Sequence, residues 1–291
     1  MLDSPGNSNG NSISTLTWKI GPEGEELLAL DLTSQTLDEV SRKIPQGVYT
    51  TFRTYQQRTR VLGLQAHLER LEKSAAHYGW REPVDRENLM QTIRRLLEQV
   101  APAEGRIRLT LDTTEQPGSL YVSLQPLHPL SGEVYEQGVA VLTSNLRREM
   151  PEIKSTSFIS TSRALKASMP ANIFERLLLD ENGCILEGLT SNFFGVIGGA
   201  LYTAACGVLQ GITRSIILQL AETDHIAQLL RPVCLEEIQQ LSEAFLTSSS
   251  RGIIPVIEID DQDVGGKTPG PLTRRLMQLY REYLSLHAEP I

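Results

Sequence analysis

The stretch Leu186-Glu-Gly-Leu-Thr-Ser-Asn-Phe-Phe194 decides the fold, because it joins two apolar runs through a short polar turn. The second run, Asn192 to Ile197, leads through Gly198-Gly199 into a third, Ala200 to Thr203. Short apolar runs separated by turn residues predict a meander of β-strands. Single helices interrupt such strand clusters elsewhere and do not follow every strand, so the pattern predicts an α+β fold.

The segment Gly207-Val-Leu-Gln-Gly-Ile-Thr-Arg-Ser-Ile-Ile217 follows this meander and leads into a helix predicted over Thr213 to Glu222. Gly211 allows the backbone to approach a ligand closely. The first turn of a helix offers unpaired N–H groups and a positive dipole end. Together these features are typical of a phosphate-binding cradle. The alternative is a helix that the Thr213 hydroxyl caps, with no ligand.

Further elements flank these segments on both sides. Strands are predicted over Leu16 to Ile20, Leu27 to Leu30, Gly47 to Tyr55, Arg106 to Leu111, Ser119 to Leu124, Gly138 to Thr143, Phe174 to Asp180, Cys184 to Glu187, Ala244 to Thr247 and Ile253 to Ile259, and helices over Ala66 to Gly79, Asp85 to Val100 and Leu272 to Leu286. Prolines and glycines around residue 129 mark a linker. The chain is therefore predicted to contain a flexible tail (1–15), a small α+β domain (16–128), a linker (129–135) and a larger domain (136–291).

Composition excludes several classes of function. The 291 residues include 35 acidic and 27 basic side chains, for a net charge of -8, so the chain lacks the basic surface that nucleic acid requires. No apolar run approaches the ~18 residues that span a bilayer, so no membrane partner is predicted. The N-terminus shows no basic segment followed by an apolar one, and we expect a cytoplasmic protein.

The three cysteines, Cys184, Cys206 and Cys234, are an odd number and form no CxxC pair. Neither a disulfide framework nor a metal site is therefore predicted. We expect free, mostly packed thiols in a reducing compartment.

Lys154 differs from the other lysines in its surroundings. It lies in Met150-Pro-Glu-Ile-Lys-Ser-Thr-Ser-Phe158, between a proline and an apolar segment, with hydroxyl groups at the next three positions. Partial burial lowers the proton affinity of an amine and makes it a nucleophile toward an aldehyde. The alternative is a solvated surface lysine, which is the expectation for Lys19, Lys43, Lys73, Lys166 and Lys267.

Glu187 ends an apolar run and is followed by glycine, two hydroxyl residues and an asparagine. A carboxylate in that position suits a buried cationic partner, and a pyridinium nitrogen is one such group. The alternative places Glu187 at a solvated strand edge and makes Thr190-Ser191-Asn192 an ordinary turn.

Two other segments carry groups that suit phosphate. The link Thr247-Ser-Ser-Ser-Arg-Gly252 supplies hydroxyl donors, and Arg70, one helical turn after His67, could hold a phosphate through two parallel hydrogen bonds. The alternatives are a plain polar loop and an ion pair from Arg70 to Glu69 or Glu72.

Arg106 and Arg108 share one face of a predicted strand, because side chains alternate along it. One of them could bind a substrate carboxylate. The alternative is that both face water, opposite Ile107, Leu109 and Leu111.

The order and spacing of these segments resemble the class IV pyridoxal-phosphate aminotransferases, which include branched-chain aminotransferases, D-amino-acid aminotransferases and aminodeoxychorismate lyases. The resemblance runs from about Gly47 to about Leu286. It is most specific in Glu187-Gly-Leu-Thr-Ser-Asn-Phe-Phe194 followed by Leu209-Gln-Gly-Ile-Thr-Arg214. It implies pyridoxal 5'-phosphate as cofactor, a small α+β domain joined to a larger barrel-like domain, and a homodimer whose sites lie near the subunit interface.

The resemblance also implies roles for individual residues. Lys154 matches the lysine that forms the Schiff base and moves the proton, and Glu187 matches the carboxylate that faces the pyridine nitrogen. The phosphate ligands are then Arg70, Ile212, Thr213 and Ser249. The residues assigned to the substrate are Tyr49, Arg108 and Ser250, with Tyr49 also counted as catalytic.

The implied reaction is amino transfer between an amino acid, with branched-chain amino acids as one candidate, and a 2-oxo acid. The alternative is a lyase that releases pyruvate and 4-aminobenzoate from aminodeoxychorismate. Asp112 disfavours the lyase, because an arginine is expected at this place and an anionic group would repel an extra substrate carboxylate. A cofactor-free binding protein is a third hypothesis, which the presence of both Lys154 and Glu187 disfavours.

Overall fold

The computed structural model of the chain describes residues 15–21, 24–28, 36–99 and 104–291. Its strands are β1 (Leu16–Gly21), β2 (Gly24–Leu27), β3 (Gly47–Tyr55), β4 (Arg60–Val61), β5 (Gly105–Asp112), β6 (Leu120–Pro126), β7 (Val139–Ser144), β8 (Ile173–Leu179), β9 (Cys184–Gly188), β10 (Asn192–Ile197), β11 (Ala200–Tyr202), β12 (Gln228–Leu229), β13 (Val233–Cys234), β14 (Glu243–Ser248), β15 (Gly252–Ile259), β16 (Gln262–Asp263) and β17 (Glu289–Pro290). Its helices are α1 (Leu37–Val40), α2 (Leu64–His77), α3 (Arg86–Glu98), α4 (Gly132–Gln137), α5 (Ser157–Ala167), α6 (Ile212–Thr223) and α7 (Pro271–His287), with a 3₁₀ helix over Leu235–Gln240. The α+β prediction is confirmed.

The first sheet contains seven of the described strands, in the order β17-β4-β3-β5-β6-β1-β2. Strands β3 and β5 are antiparallel, and Arg53 lies directly opposite Arg106. Alternate residues of β5, from Ile107 to Leu111, pack with α2 and α3 in an apolar core. Because side chains alternate along a strand, Arg106 and Arg108 lie on the opposite face, away from that core.

The second sheet is barrel-like. Strands β10, β14, β15, β7, β8 and β9 pair in that order, and a further pairing of β9 with β10 closes the ring. The residues that meet at the closure are Glu187 and Asn192. Phe193, Leu246 and Val256 belong to the apolar core of this sheet. The geometry of a closed sheet therefore fixes the backbone of Glu187 from both sides.

Strand β3 ties the first sheet to the segment that carries Lys154. The Tyr49 N–H donates to the Lys154 carbonyl oxygen at 2.8 Å, and the Gly47 N–H donates to the Thr156 hydroxyl at 3.0 Å. Helix α5 follows at once from residue 157. The lysine is thus held at the junction of the two sheets.

Most predicted elements appear in the structure, and β3 and β10 have the predicted bounds. The prediction missed α5, because its sequence is rich in hydroxyl side chains that compete with helical hydrogen bonds. The strand predicted over Leu27 to Leu30 is misplaced, because β2 ends at Leu27. The last two residues of that prediction, 29 and 30, lie outside the described residues. Val100 and the predicted tail also lie outside them, except Thr15, which is buried.

The domain boundaries stay a prediction. Helix α4 begins within the predicted linker, at Gly132. Strand β17, which the prediction assigned to the larger domain, pairs with β4 in the first sheet. Among the described residues, no helix is both long and apolar enough to cross a bilayer.

The prediction of three free thiols is wrong. Cys184 and Cys234 form a disulfide, because β9 and β13 pair antiparallel and place the two cysteines opposite each other. Cys206 is free but exposed rather than packed. The 50-residue separation of the bonded pair leaves no local spacing from which the bond could have been predicted.

Candidate active site

A cavity of about 310 Å³ lies between the two sheets. Strands β3 and β5 supply one wall, and β9, β10, the start of α6 and the β14–β15 turn supply others. The cavity lining includes all of the residues that the sequence assigned to the site, namely Tyr49, Arg70, Arg108, Lys154, Glu187, Ile212, Thr213, Ser249 and Ser250. The fold therefore brings together segments from residue 49 to residue 250.

The Lys154 side chain enters the cavity and is not a solvated surface lysine. Its Nζ lies 4.8 Å from the centre of the Tyr49 ring, and it has no hydrogen-bond or ion-pair partner among the described residues. Burial lowers the pKa of Lys154 well below its usual value, and the positive charges of Arg70 and Arg148 lower it further. The amine therefore loses its proton more readily than an exposed lysine, which favours its action as a nucleophile.

Glu187 is 3% exposed, which excludes a solvated strand edge. Its Oε1 accepts from Arg148 Nη1 at 2.9 Å, and its Oε2 accepts from the Leu209 N–H at 3.0 Å. Burial raises the pKa of Glu187, and Arg148 opposes part of that rise. The carboxylate is therefore fixed in position and more basic than an ordinary glutamate.

The N-terminus of α6 opens onto the cavity. Its N-cap residue is Gly211, which offers no side-chain acceptor to the first amides, and Thr213 does not cap the helix. A Cβ at Gly211 would lie 2.1 Å from Asn192 Oδ1, so glycine is required by the close approach of these two segments. The Asn192 amide donates to the Leu209 carbonyl oxygen at 2.7 Å and holds the segment in place. The uncapped amides at Ile212 and Thr213 can therefore receive an anion.

Arg70 pairs with neither neighbouring glutamate. Its Nη2 donates to the Thr50 hydroxyl at 2.9 Å, and its Nη1 donates to the Gln210 carbonyl oxygen at 3.2 Å. The Thr50 hydroxyl also forms a hydrogen bond with His67 Nδ1 at 2.7 Å. Burial, helped by Arg70, lowers the pKa of His67 well below its usual value. Burial likewise lowers the pKa of Arg70, to about 10.

The turn between β14 and β15 lines the cavity from residue 248 to Arg251. Arg251 donates to the Thr190 hydroxyl at 2.9 Å and forms an ion pair with Glu175. Glu175, which is fully buried, also accepts from the Thr190 N–H and the Ser191 hydroxyl. Residues 190–192 are therefore not an ordinary turn, because a buried carboxylate organises them.

Arg108 faces the cavity and not water, but its own protein contacts occupy most of its donors. It donates to Thr51, to the Leu37 carbonyl oxygen, to Ser41 and to Asp38, the last at 2.8 Å. Its guanidinium also stacks on the Tyr49 ring, at 4.7 Å from the ring centre. One Nη2 proton remains for a ligand.

Asp112 does not lie beside the substrate side of the cavity, where the sequence predicted it. Its carboxylate accepts from the backbone N–H groups of Thr114, Glu115 and Gln116 and so organises the turn after β5. Asp112 is absent from the cavity lining and therefore does not face a substrate there. The prediction that Asp112 disfavours a lyase is therefore wrong.

Arg53, Arg148 and Lys166 also line the cavity and were not predicted from the sequence, whereas Arg106 was named with Arg108 as a candidate for a substrate carboxylate. Lys166 was expected on the surface, but it lies on the same face of α5 as Ile159 and Ser162, which also line the cavity. That helical spacing was a usable signal once a helix is assigned there. Arg148 had no local signal, although a buried Glu187 requires a cationic partner.

The family model for amino-transferase class IV matches residues 47–259 of the chain. The chain belongs to the class IV aminotransferases. It is a pyridoxal-phosphate-dependent enzyme that transfers amino groups.

Individual class IV enzymes show how far the similarity extends. A branched-chain-amino-acid aminotransferase from Pseudomonas aeruginosa is 27% identical over 92% of this chain and 94% of its own length. A D-alanine aminotransferase from Staphylococcus epidermidis is 26% identical over 83% of this chain and 89% of its own length. The solved structure of a branched-chain aminotransferase from Thermoproteus uzoniensis superposes with a TM-score of 0.75, covers 95% of this chain and 99% of its own, and is 24% identical.

The cavity of this class IV aminotransferase fits pyridoxal 5'-phosphate. Arg70 Nε and Thr247 Oγ1 are buried in its walls without a hydrogen-bond partner among the described residues, as donors that await a phosphate would be. The uncapped start of α6 adds backbone donors. Lys154 supplies an amine for the aldehyde, and Glu187 supplies a carboxylate for the ring nitrogen. Each reactive part of the cofactor thus has a group in the cavity that suits it.

Proposed function

We propose that Lys154 holds the cofactor covalently and moves the proton when an amino group passes between an amino acid and a 2-oxo acid. The observation that carries this proposal is the buried, unpaired Lys154 amine in one cavity with Glu187 and the open end of α6. Bound pyridoxal phosphate supplies an electron-accepting ring. Lys154 Nζ would take the proton from the substrate Cα and then deliver it to the C4′ carbon of the cofactor.

Glu187 is proposed to keep the ring nitrogen protonated. Its buried carboxylate is held by Arg148 and by the Leu209 N–H, and a negative charge fixed beside the ring nitrogen would raise the proton affinity of that nitrogen. Arg148 keeps the same carboxylate oriented through Oε1. Arg70, the amides of Ile212 and Thr213, and the Ser249 hydroxyl would bind the phosphate.

Tyr49, Ser250 and the remaining Nη2 proton of Arg108 are proposed to contact the substrate. Branched-chain amino acids are one candidate donor, because relatives are named for them and Phe158, Ile159 and other apolar side chains line the cavity. To test this, the enzyme loaded with pyridoxal phosphate is incubated with L- and D-amino acids without a 2-oxo acid acceptor, and its visible spectrum is followed. Conversion to the pyridoxamine form supports amino transfer. Failure with all of them, with pyruvate release from aminodeoxychorismate, would show a lyase instead.

We also propose a homodimer, which the resemblance to the family supports. Light scattering coupled to size-exclusion chromatography should give twice the chain mass of 32.3 kDa. A monomer that binds cofactor and turns over substrate would contradict this proposal.

A cytoplasmic location is proposed as well, since amino acids and 2-oxo acids are interconverted there. A reducing cytoplasm keeps thiols reduced, so this location predicts that Cys184 and Cys234 are at least partly reduced in the cell. Alkylation of thiols in intact cells before lysis, followed by mass spectrometry, tests it. A fully formed bond in freshly alkylated cells would favour an oxidising compartment.

A further inference from the structure

Helix α7 lies beyond residue 259, where the match to the class IV family ends, yet it reaches the proposed phosphate site. Its buried Tyr280 packs in the same apolar core as Ile217 of α6. From there the Tyr280 hydroxyl has two hydrogen-bond partners, the hydroxyls of Thr213 and Tyr55. A residue outside the matched region therefore contacts one of the proposed phosphate ligands.

A second, small cavity of about 10 Å³ lies where these groups meet, and its lining includes Tyr55, His67, Thr213, Ser249 and Tyr280. Thr213 and Ser249 also line the large cavity, so they stand between the two cavities. Tyr55 and Tyr280 line only the small one. The two tyrosines thus lie behind the proposed phosphate ligands and would act on the cofactor only through them.

The Tyr280 ring also lies against the backbone that follows the serine-rich turn. A Cβ added at Gly252, the first residue of β15, would lie 3.4 Å from Tyr280 Cε1. Ser249, three residues earlier, shares the small cavity with Tyr280. One side chain of α7 therefore supports both segments that are proposed to hold the phosphate, the start of α6 and the turn between β14 and β15.

The direction of the hydrogen bonds decides what Thr213 can offer to a ligand. A threonine hydroxyl has one proton to donate and two lone pairs. Among the described residues, the Thr213 hydroxyl has no hydrogen-bond partner except Tyr280. Burial raises the pKa of Tyr280 and of Tyr55, so both keep their protons and can donate them. If Tyr280 donates to Thr213, the Thr213 proton is left for a phosphate oxygen.

We propose that Tyr280 is a positioning residue for the cofactor phosphate, which accepts a hydrogen bond from Tyr55, donates one to Thr213 and so directs the Thr213 proton at the phosphate. The inference rests on the proposed function, because it requires Thr213 to bind the phosphate. It adds to the site a residue that does not face the cofactor. Because Tyr280 acts through Thr213, its effect on the cofactor should disappear when the Thr213 hydroxyl is removed.

The first experiment titrates pyridoxal 5'-phosphate into the cofactor-stripped protein. Tyr280→Phe removes only the hydroxyl and should weaken binding by roughly three- to tenfold, as expected for one neutral hydrogen bond. In the Thr213→Val background the same change should weaken binding by less than about twofold, because the two residues act as one unit. The control is Tyr283→Phe, which should leave the affinity unchanged, because Tyr283 packs against the same core but stacks on His287.

The second experiment repeats the titrations with pyridoxal, which has the same ring and aldehyde but no phosphate. Tyr280→Phe should leave pyridoxal binding unchanged, since the proposed role concerns the phosphate alone. A general loosening of the fold would weaken both ligands alike. Should Tyr280→Phe fail to fold, Tyr55→Phe tests the same chain of hydroxyls, because it removes the donor to Tyr280. Its effect should be smaller and again confined to pyridoxal phosphate.

The outcomes separate this inference from the proposed function. Equal losses for the two ligands, or the same loss with and without the Thr213 hydroxyl, would overturn the role of Tyr280. If Thr213→Val weakens the binding of pyridoxal phosphate and Tyr280→Phe does not, only the inference about Tyr280 fails. If Thr213→Val itself has no effect, the proposed phosphate role of Thr213 fails together with it.

Discussion

Two regions of one cavity differ in whether their charged side chains are paired by the protein. Around Lys154, the buried carboxylate of Glu187 has Arg148 and a backbone N–H as partners, and Arg70 is positioned by Thr50. Elsewhere in the cavity, the side chains of Arg106 and Lys166 have no hydrogen-bond or ion-pair partner among the described residues. In the first region the protein orients Glu187 and Arg70 and leaves Lys154 and Arg70 Nε open to a ligand, whereas in the second no protein group pairs with the two cations.

The difference shows which properties each region fixes. Charges that the protein pairs and orients in advance cost no reorganisation during the reaction, which suits groups that act on the cofactor in every cycle. Unpaired cations discriminate between ligands, because a ligand without a matching anion leaves them desolvated and unpaired. Variants in the first region should therefore affect all substrates alike, and variants in the second should affect selectivity.

Lys154→Ala should have the largest effect. We expect turnover of every substrate to fall by more than about three orders of magnitude, because no other amine takes its place. Borohydride reduction of the wild-type enzyme, followed by peptide mass spectrometry, should find cofactor mass on the peptide that contains Lys154. Lys166 is the relevant control, since it is the second lysine in the same cavity. Cofactor mass on the peptide that contains Lys166 would mean that Lys166, and not Lys154, binds the cofactor.

Glu187→Gln should come next, with a loss in kcat of about two orders of magnitude and cofactor still bound, because an amide cannot keep the ring nitrogen charged. It also leaves Arg148 buried without its ion pair, which destabilises a fold by about 3–5 kcal/mol. The double variant Glu187→Gln with Arg148→Met should recover stability in thermal unfolding but not turnover. Recovery of turnover would mean that Glu187 serves only to neutralise the charge of Arg148.

Arg70→Ala should weaken cofactor binding more than it slows the bound enzyme. The lost charge-assisted contact is ~1.5–3 kcal/mol, to be measured by titrating cofactor into the stripped protein. Thr50→Val should have a smaller effect in the same direction, because it removes the acceptor of Arg70 and the hydrogen-bond partner of His67. Arg94→Ala, at an exposed position on α3, is the matched control. Equal affinities in all three variants would exclude Arg70 as a phosphate ligand.

The smallest expected effect concerns pH. The pKa of Lys154 lies well below the usual 10.5, so its amine should stay uncharged at pH values where exposed lysines are protonated. Competitive acetylation of the cofactor-stripped protein should give Lys154 a midpoint well below the usual lysine value of 10.5. Raising the pH through the ordinary lysine range should therefore leave the reactivity of Lys154 unchanged. A midpoint at the usual value would show that the amine is not desolvated.

Much of the fold was predictable because its signals are local. β3 and β10 are dense in β-branched and aromatic residues between turn signals, and their bounds were correct. The site segments were found by their residue types and their order. What local signals could not supply is pairing over distance. The pairing of Arg148 with Glu187 and of Cys184 with Cys234 depends on the assembled structure.

Helix α5 shows how one missed element hides a functional residue. Its hydroxyl-rich sequence has little apolar periodicity, and tertiary contacts must therefore stabilise it. Without the helix, Lys166 had no predicted face and was placed in solvent. The error in secondary structure thus became an error about the chemistry of the cavity.

The disulfide between Cys184 and Cys234 closes a covalent ring of chain, and Glu187, Asn192, Gly211 and Thr213 all belong to that ring. While the bond is formed, these groups cannot drift far apart even in the unfolded chain, and the loss of loop-closure entropy favours folding by ~4 kcal/mol. A single proteolytic cut within the ring would then separate no fragment. The Glu187 carboxylate and the start of α6 would remain parts of one covalently connected piece.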